Sequence, residues 1–469
     1  MARSFEMLPR DVKKVETRYR RIATPIPVPE SLEIIKQLRE YEPRSMSGQP
    51  LVVWDRGEGF NVFDGYGNKW IDFSSGVLVA NSGHGNERIK KAIIEQAEHG
   101  LLHNYCFPSK VRAELAKRLA GIAPEPLKKV FLLTTGAEST ECAIKLCRTY
   151  GKKAGGNEKL KIITFSDAFH GRTMGSQTAG GSPGGKAWIT NLDPDFHQVP
   201  FPNRFKYPWA DESDSGYSDE KCFNTFLTYL DEQKVKPPQI AGIMSETFQG
   251  GWVQLMPVGF VKKLRQFCDE YNIVLVFDEV QAGFGRSGKL FAFQHYGVTP
   301  DLVCCGKGIS SSLPLSAVIG RADIMDLYGP NEMTSTHTGN PICAAATLAN
   351  IDYIFENGLI ENAEKLGKIC REFLTGLKKK HSGVIGSVEG VGLAWGIVFV
   401  KKGTRDIDPD LAHDIVRLSV EKGLLFFAPV GTGATIKVCP PLMINEEALK
   451  EGLKVFEEAI EEAVGLLEG

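Results

Sequence analysis

The sequence predicts an α/β fold, a large doubly wound and mostly parallel sheet accompanied by a smaller α+β domain. Three observations carry that reading. Apolar, β-branched runs such as Ile273-Val274-Leu275-Val276-Phe277 and Leu302-Val303-Cys304-Cys305 show no polar alternation, as expected of strands buried on both faces. From about residue 86 to 345 such runs alternate with helix-like segments, the pattern of a parallel sheet. Beyond about residue 342 long amphipathic helices and a few short strands mark a separate α+β unit. The chain thus divides into an N-terminal arm with a small-domain segment (1–85), a large domain (86–345) and a C-terminal small domain (346–469).

Residues 1 to about 50 are polar and dotted with Pro9, Pro25, Pro27, Pro29 and Pro43, with one helix-like segment at 31–41. Val52-Val53-Trp54-Asp55, Asn61-Val62-Phe63-Asp64 and Trp70-Ile71-Asp72-Phe73 read as short antiparallel strands, with Gly65-Tyr66-Gly67-Asn68 as hairpin turn. In the large domain strands are expected at 130–133, 161–165, 240–244, 273–277 and 302–305, and a helix at 139–150. The stretch 180–214, rich in Gly, Pro and Asp, reads as a surface excursion. The last domain should hold helices at 344–357, 361–379 and 446–467 and strands at 393–400, 424–428 and 435–438.

The 469 residues carry 55 Lys and Arg against 57 Asp and Glu, a net charge of -2. That balance points to neither nucleic acid nor a membrane surface as partner. No apolar run approaches the ~18 residues of a membrane span, and Met1-Ala2-Arg3-Ser4-Phe5-Glu6 lacks the apolar core of a secretory leader. The ten cysteines form no C-x-x-C pair, and Cys304, Cys305 and Cys439 lie in apolar runs. Buried thiols in a cytoplasmic protein are expected, rather than disulfides or zinc. His99 and His103 have helical i,i+4 spacing, but Gly100 lies between them and no acid or thiol set converges, so no metal site is expected.

Open α/β sheets place ligand sites at the carboxyl ends of their strands. Here one buried run ends at Asp278-Glu279 and the next leads to Gly306-Lys307-Gly308. Taken singly, an acid capping a turn and a tight Gly-Lys-Gly turn are ordinary loop punctuation. Together they suit pyridoxal phosphate, whose aldehyde needs a lysine for its Schiff base and whose pyridine nitrogen needs a carboxylate. The segment Gly283-Phe284-Gly285-Arg286-Ser287-Gly288-Lys289 has phosphate-loop spacing, but Leu290 stands where Ser or Thr is required, which argues against nucleotide binding. Thr134-Thr135-Gly136-Ala137-Glu138 turns a strand into a helix. That is either a plain helix cap or a phosphate site made of free N–H groups and the positive dipole end.

The order Asp278-Glu279-Val280-Gln281 … Gly285-Arg286-Ser287-Gly288 … Gly306-Lys307 closely resembles the signature of class III (omega) aminotransferases, of the 4-aminobutyrate aminotransferase-like kind. The likeness spans roughly residues 35 to 465. It implies a fold type I pyridoxal-phosphate-dependent transferase with Lys307 and Asp278 as catalytic residues. It further implies a phosphate turn at Thr135, Gly136 and Ala137. Phe169-His170-Gly171-Arg172-Thr173 matches the family's aromatic-His-Gly-Arg-Thr motif, which puts Phe169 and His170 against the cofactor and makes Arg172 a clamp for a substrate carboxylate. Glu246 and Gln281 complete the implied cofactor shell, and Val77 and Lys437 belong to the implied substrate pocket. Ser335-Thr336-His337-Thr338-Gly339-Asn340-Pro341 matches a segment whose threonine reaches the partner subunit's cofactor phosphate. Thr336 therefore implies a homodimer, with a tetramer left open.

The implied reaction moves an amino group from an omega-amino acid, amine or amino acid to a 2-oxo acid, with a 4-aminobutyrate-like donor and 2-oxoglutarate or pyruvate as acceptor. Racemases or epimerases, aminomutases and decarboxylating transaminases of the same family stay open as alternatives. Two departures bear on the substrate. Glu246-Thr247-Phe248-Gln249-Gly250-Gly251-Trp252 lacks the proline and second acid of the family's Glu-Pro-x-Gln-Gly-Glu/Asp-Gly, and Lys437 stands where an arginine receives an α-carboxylate. Losing acid and arginine together avoids burying an unpaired charge. A lysine attracts a carboxylate without a bidentate fork, so weaker discrimination for 2-oxoglutarate is expected.

Overall fold

The uninterrupted apolar runs build the central sheet, as strands with no solvent face must. A computed structural model describes residues 4–207, 218–431 and 433–468 and separates into two compact units, 88–357 and 1–87 with 358–469. The first holds a seven-stranded sheet of β1 (Leu127–Leu133), β2 (Lys161–Phe165), β3 (Phe196–Val199), β4 (Ile240–Glu246), β5 (Val274–Asp278), β6 (Leu302–Cys305) and β7 (Ser316–Arg321). Their spatial order is β1-β7-β6-β5-β4-β2-β3, and β7 alone runs antiparallel to its neighbours. Every residue of β4, β5 and β6 is buried.

Register decides where the chemistry sits. Asp278 pairs with Glu246 on one side and Cys304 on the other, so two carboxylates end neighbouring strands. Lys307 follows two residues beyond the end of β6. Helix α1 (Gly136–Gly155) packs Cys142, Ala143, Leu146 and Cys147 onto Met244, Val276, Cys304 and Val318. Each fully buried apolar side chain of leucine size contributes about 1.5–3 kcal/mol. The helix lies so close that a Cβ on Gly242 would come within 2.6 Å of Cys147 Sγ. The helix Pro341–Glu356 also belongs to this unit, where Ala346 and Ala349 pack on Ile89.

The excursion expected at 180–214 contains β3, which pairs parallel with β2 along its whole length. His197 and Gln198 interrupt its apolar pattern because β3 is an edge strand. Part of that stretch, 208–214, lies outside the described residues.

The second unit carries antiparallel strands at Arg56–Glu58, Asn61–Phe63 and Lys69–Asp72. The first of these falls after Val52-Val53-Trp54-Asp55, where Trp54 is exposed and Asp55 contributes a single ladder bond to Phe63 at 2.9 Å. A three-stranded sheet joins Ile385–Val391, Ala394–Phe399 and Thr435–Val438, flanked by helices Leu359–Lys380, Pro409–Glu421 and Glu446–Glu468. The predicted strand at 424–428 shortens to Leu424–Leu425, which pairs parallel with Lys69–Asp72.

Ser75–Leu78 is a left-handed turn, with φ of 50, 57, 63 and 62° at Ser75, Gly76, Val77 and Leu78. Left-handed backbone costs about 1–2 kcal/mol per non-glycine residue, and a β-branched residue there is an outlier.

All ten cysteines are free, and eight are buried. Among the described residues no helix is long and apolar enough to cross a membrane.

Candidate active site

A cavity of 240 Å³ opens at the carboxyl ends of β4, β5 and β6. Its walls include Gly136, Ala137, Phe169, His170, Glu246, Asp278, Val280, Gln281 and Lys307. Asp278 Oδ2 lies 2.8 Å from His170 Nδ1, and its Oδ1 accepts the Val280 N–H at 3.0 Å. Burial alone would push the His170 imidazole down, but the hydrogen bond and charge of Asp278 more than offset that and hold it above its ordinary value. The other ring nitrogen, Nε2, is buried without a partner.

Glu246 accepts N–H groups from Phe169 and Gly250, both at 3.0 Å. Burial raises this carboxyl to about 7, with the neighbouring Asp278 adding to the shift and His170 opposing it. Lys307 begins a short helical turn in the left-handed region, at φ 45°. Burial holds its ammonium below the ordinary lysine range, and Asp278 and Glu246 pull it partly back. A lysine so placed gives up its proton more readily than a solvent-exposed one.

At the other end of the cavity α1 begins. Thr135 caps it, accepting the Glu138 N–H at 3.2 Å while the Glu138 carboxylate accepts the Thr135 N–H at 2.8 Å. The first N–H groups of a helix have no intrahelical acceptor, which leaves those of Gly136 and Ala137 for an anion. Gly136 is required by proximity: a Cβ there would meet Val280 Cγ1 at 2.9 Å. Val280, overlooked in the sequence between Asp278 and Gln281, packs under both Gly136 and Gly306. Gln281 lies beside Gly250, where a Cβ would stand 2.6 Å from its Nε2.

Phe169 is 44% exposed, an unusual state for a phenylalanine, and the Arg172 guanidinium stands 5.5 Å from its ring centroid. Arg172 is exposed. Thr336 is exposed and lies away from the cavity walls, in a segment followed by Thr338, which bonds the Leu132 carbonyl at 2.7 Å. Val77 and Lys437 belong to the other unit. Val77 sits in the left-handed turn, and Lys437 is buried with its Nζ 5.8 Å from the Phe427 ring centroid. Glu279, next to Asp278, turns away into the core. It accepts bonds from Thr247 Oγ1, Ala292 N and Phe293 N, and burial raises it to about 7. His103 packs against the ring of His337.

The donor set fits pyridoxal phosphate: helix N–H groups for a phosphate dianion, a buried acid for the pyridine nitrogen, an amine for the aldehyde, and an aromatic face for a flat ring. Residues 44–460 match the family model described as aminotransferase class-III. The chain belongs to the class III aminotransferases. This aminotransferase is 35% identical over 412 residues to a probable 4-aminobutyrate aminotransferase of Bacillus subtilis, covering 86% of this chain and 91% of that one. It is 30% identical over 472 residues to an alanine/serine racemase of Pyrococcus horikoshii, covering 98% and 96%. A solved ornithine aminotransferase of Toxoplasma gondii, described with partial occupancy of PLP at its active site, superposes with a TM-score of 0.80 at 25% identity, covering 93% of this chain and 96% of that one. Class III aminotransferases are pyridoxal-phosphate-dependent transaminases of fold type I, and so is this enzyme.

Proposed function

We propose that the cavity beside Lys307 is the cofactor and reaction site, and that the amino donor is an omega-amino acid of the 4-aminobutyrate type. The acceptor is 2-oxoglutarate or pyruvate. The observation that carries the site assignment is the meeting of Lys307, Asp278 and the start of α1 around one cavity. When bound, pyridoxal phosphate supplies an aldehyde that captures amines and a ring that accepts electron density. Lys307 anchors it and moves the proton at the substrate Cα. Asp278 holds the proton on the ring nitrogen, aligned by His170. Gly136 and Ala137, with Thr135 at the cap, hold the phosphate. Phe169 would cover the ring and Gln281 would hydrogen-bond its oxygen, while Glu246 fixes the Phe169 backbone. Val77, Arg172 and Lys437 recognise the substrate. Thr336 serves the partner subunit's phosphate site, so a homodimer is the working unit, and the free buried thiols suit a cytoplasmic location.

Support for the donor comes from the relative named as a probable 4-aminobutyrate aminotransferase. A second reading, racemisation of an α-amino acid, draws on the racemase that matches nearly the whole chain. One experiment separates them. The holoenzyme is incubated with a panel of amino donors and no acceptor. Stoichiometric conversion of the cofactor to its amine form, with release of an oxo product from 4-aminobutyrate, supports transamination. Deuterium entering Cα with inversion, and no aminated cofactor, supports the racemase.

A further inference from the structure

Four consecutive left-handed residues need an explanation that Gly76 alone does not provide. Ser75, Val77 and Leu78 have no preference for this region, and a turn could be made without them. Such backbone persists only where its surroundings over-determine it. Here they do. Leu78 N bonds Ser74 O, and Val79 N and Ala80 N both bond Ser75 O, each at 2.9 Å. Ser75 Oγ donates to the Cys439 carbonyl at 2.6 Å, and Cys439 N returns a bond to Phe73 O at 2.8 Å. Cys439 lies two residues beyond Lys437, just past the strand Thr435–Val438. Asp72, fully buried, accepts Ser74 N at 2.7 Å through Oδ1 and meets His84 Nε2 at 2.7 Å through Oδ2. The product of this bracing is an apolar, stiff Val77 side chain held 40% exposed.

We propose that Ser75 and Asp72 are positioning residues, Ser75 tying the left-handed turn to Cys439 just past the Lys437 strand and Asp72 fixing the entry to the turn through Ser74, so that Val77 and Lys437 form one rigid determinant of substrate choice. The inference rests on the reading that Val77 meets the substrate. A flexible turn would let Val77 retreat from a bulky amine; a braced one would not, so selectivity by size would come from the bracing.

The test uses Val77→Ala, Ser75→Ala and Asp72→Asn holoenzymes, each checked for thermal unfolding and cofactor absorbance. The readout is the ratio of kcat/KM for a linear omega-amino acid to that for an α-branched amine. All variants should shift the ratio in the same direction by roughly tenfold, the scale of a small change in an apolar pocket. The change should lie in KM, with cofactor absorbance kept. If Val77→Ala shifts the ratio while Ser75→Ala and Asp72→Asn do not, the bracing role is overturned and the Val77 reading stands. If Val77→Ala leaves the ratio unchanged, the Val77 reading fails and the inference falls with it. Should Ser75→Ala not fold, Asp72→Asn decides.

Discussion

Asp278 and His170 meet through a buried hydrogen bond, Oδ2 to Nδ1 at 2.8 Å, although 108 residues separate them. The bond keeps the imidazole above its ordinary pKa. A raised folded-state value means that its stabilisation is fully present below the ordinary histidine range and fades as pH climbs through the raised value. His170→Phe should therefore cost about 1.5–3 kcal/mol, the scale of a hydrogen bond to a charge, at pH 6 and less at pH 9. Thermal melts of both proteins across that range check the sign; a loss that grows with pH would contradict it.

Asp278→Asn should retain bound cofactor but lose activity by on the order of 10²-fold or more, as when a charge-stabilising group is removed. A neutral amide does not hold the ring nitrogen protonated. Parent-level turnover at neutral pH would reduce Asp278 to a turn cap.

Gly136→Ala should weaken cofactor retention, because the new Cβ would press to 2.9 Å from Val280 Cγ1 and displace the start of α1. Overpacking of this kind costs about 1–3 kcal/mol of stability, and the displaced N–H groups should raise the cofactor dissociation constant. Equilibrium dialysis measures it, and adding Val280→Ala should recover most of the loss. If the double variant is no better than the single one, the contact is not the cause.

The buried centre of the fold was legible and its edges were not. β5 and β6 announce themselves because both faces are buried, so no polar residue breaks Val274–Phe277 or Leu302–Cys305. β3 was hidden because an edge strand tolerates His197 and Gln198, and its neighbours are rich in turn formers. The strand at Arg56–Glu58 is nearly all charge and carries no apolar signal. The candidate site was readable where chemistry fixes residue type, at Lys307, Asp278 and Gly136. It was unreadable where geometry depends on tertiary bracing: nothing in Ser-Gly-Val-Leu signals a left-handed turn, and nothing in Asp-Glu says that Glu279 faces the core while Asp278 faces the cavity.

Lys437→Ala should lower kcat/KM for 2-oxoglutarate by roughly 10- to 150-fold if its ammonium receives the acceptor carboxylate, the value of a charge-assisted hydrogen bond. The parent enzyme should discriminate only weakly between 2-oxoglutarate and pyruvate, since both carry the α-carboxylate that a lysine would meet as a point charge. Steady-state kinetics with both acceptors check this. A strong 2-oxoglutarate preference unchanged by the substitution would place the carboxylate elsewhere.

The most direct measurement is to locate the covalent anchor. Borohydride reduction of the holoenzyme, followed by peptide mass mapping, should place one cofactor mass on Lys307. Lys307→Ala should carry none and lose at least the ~10²–10⁴-fold that a general acid–base group supplies. Cofactor mass on another lysine, or near-normal turnover by a verified Lys307→Ala protein, would contradict the account.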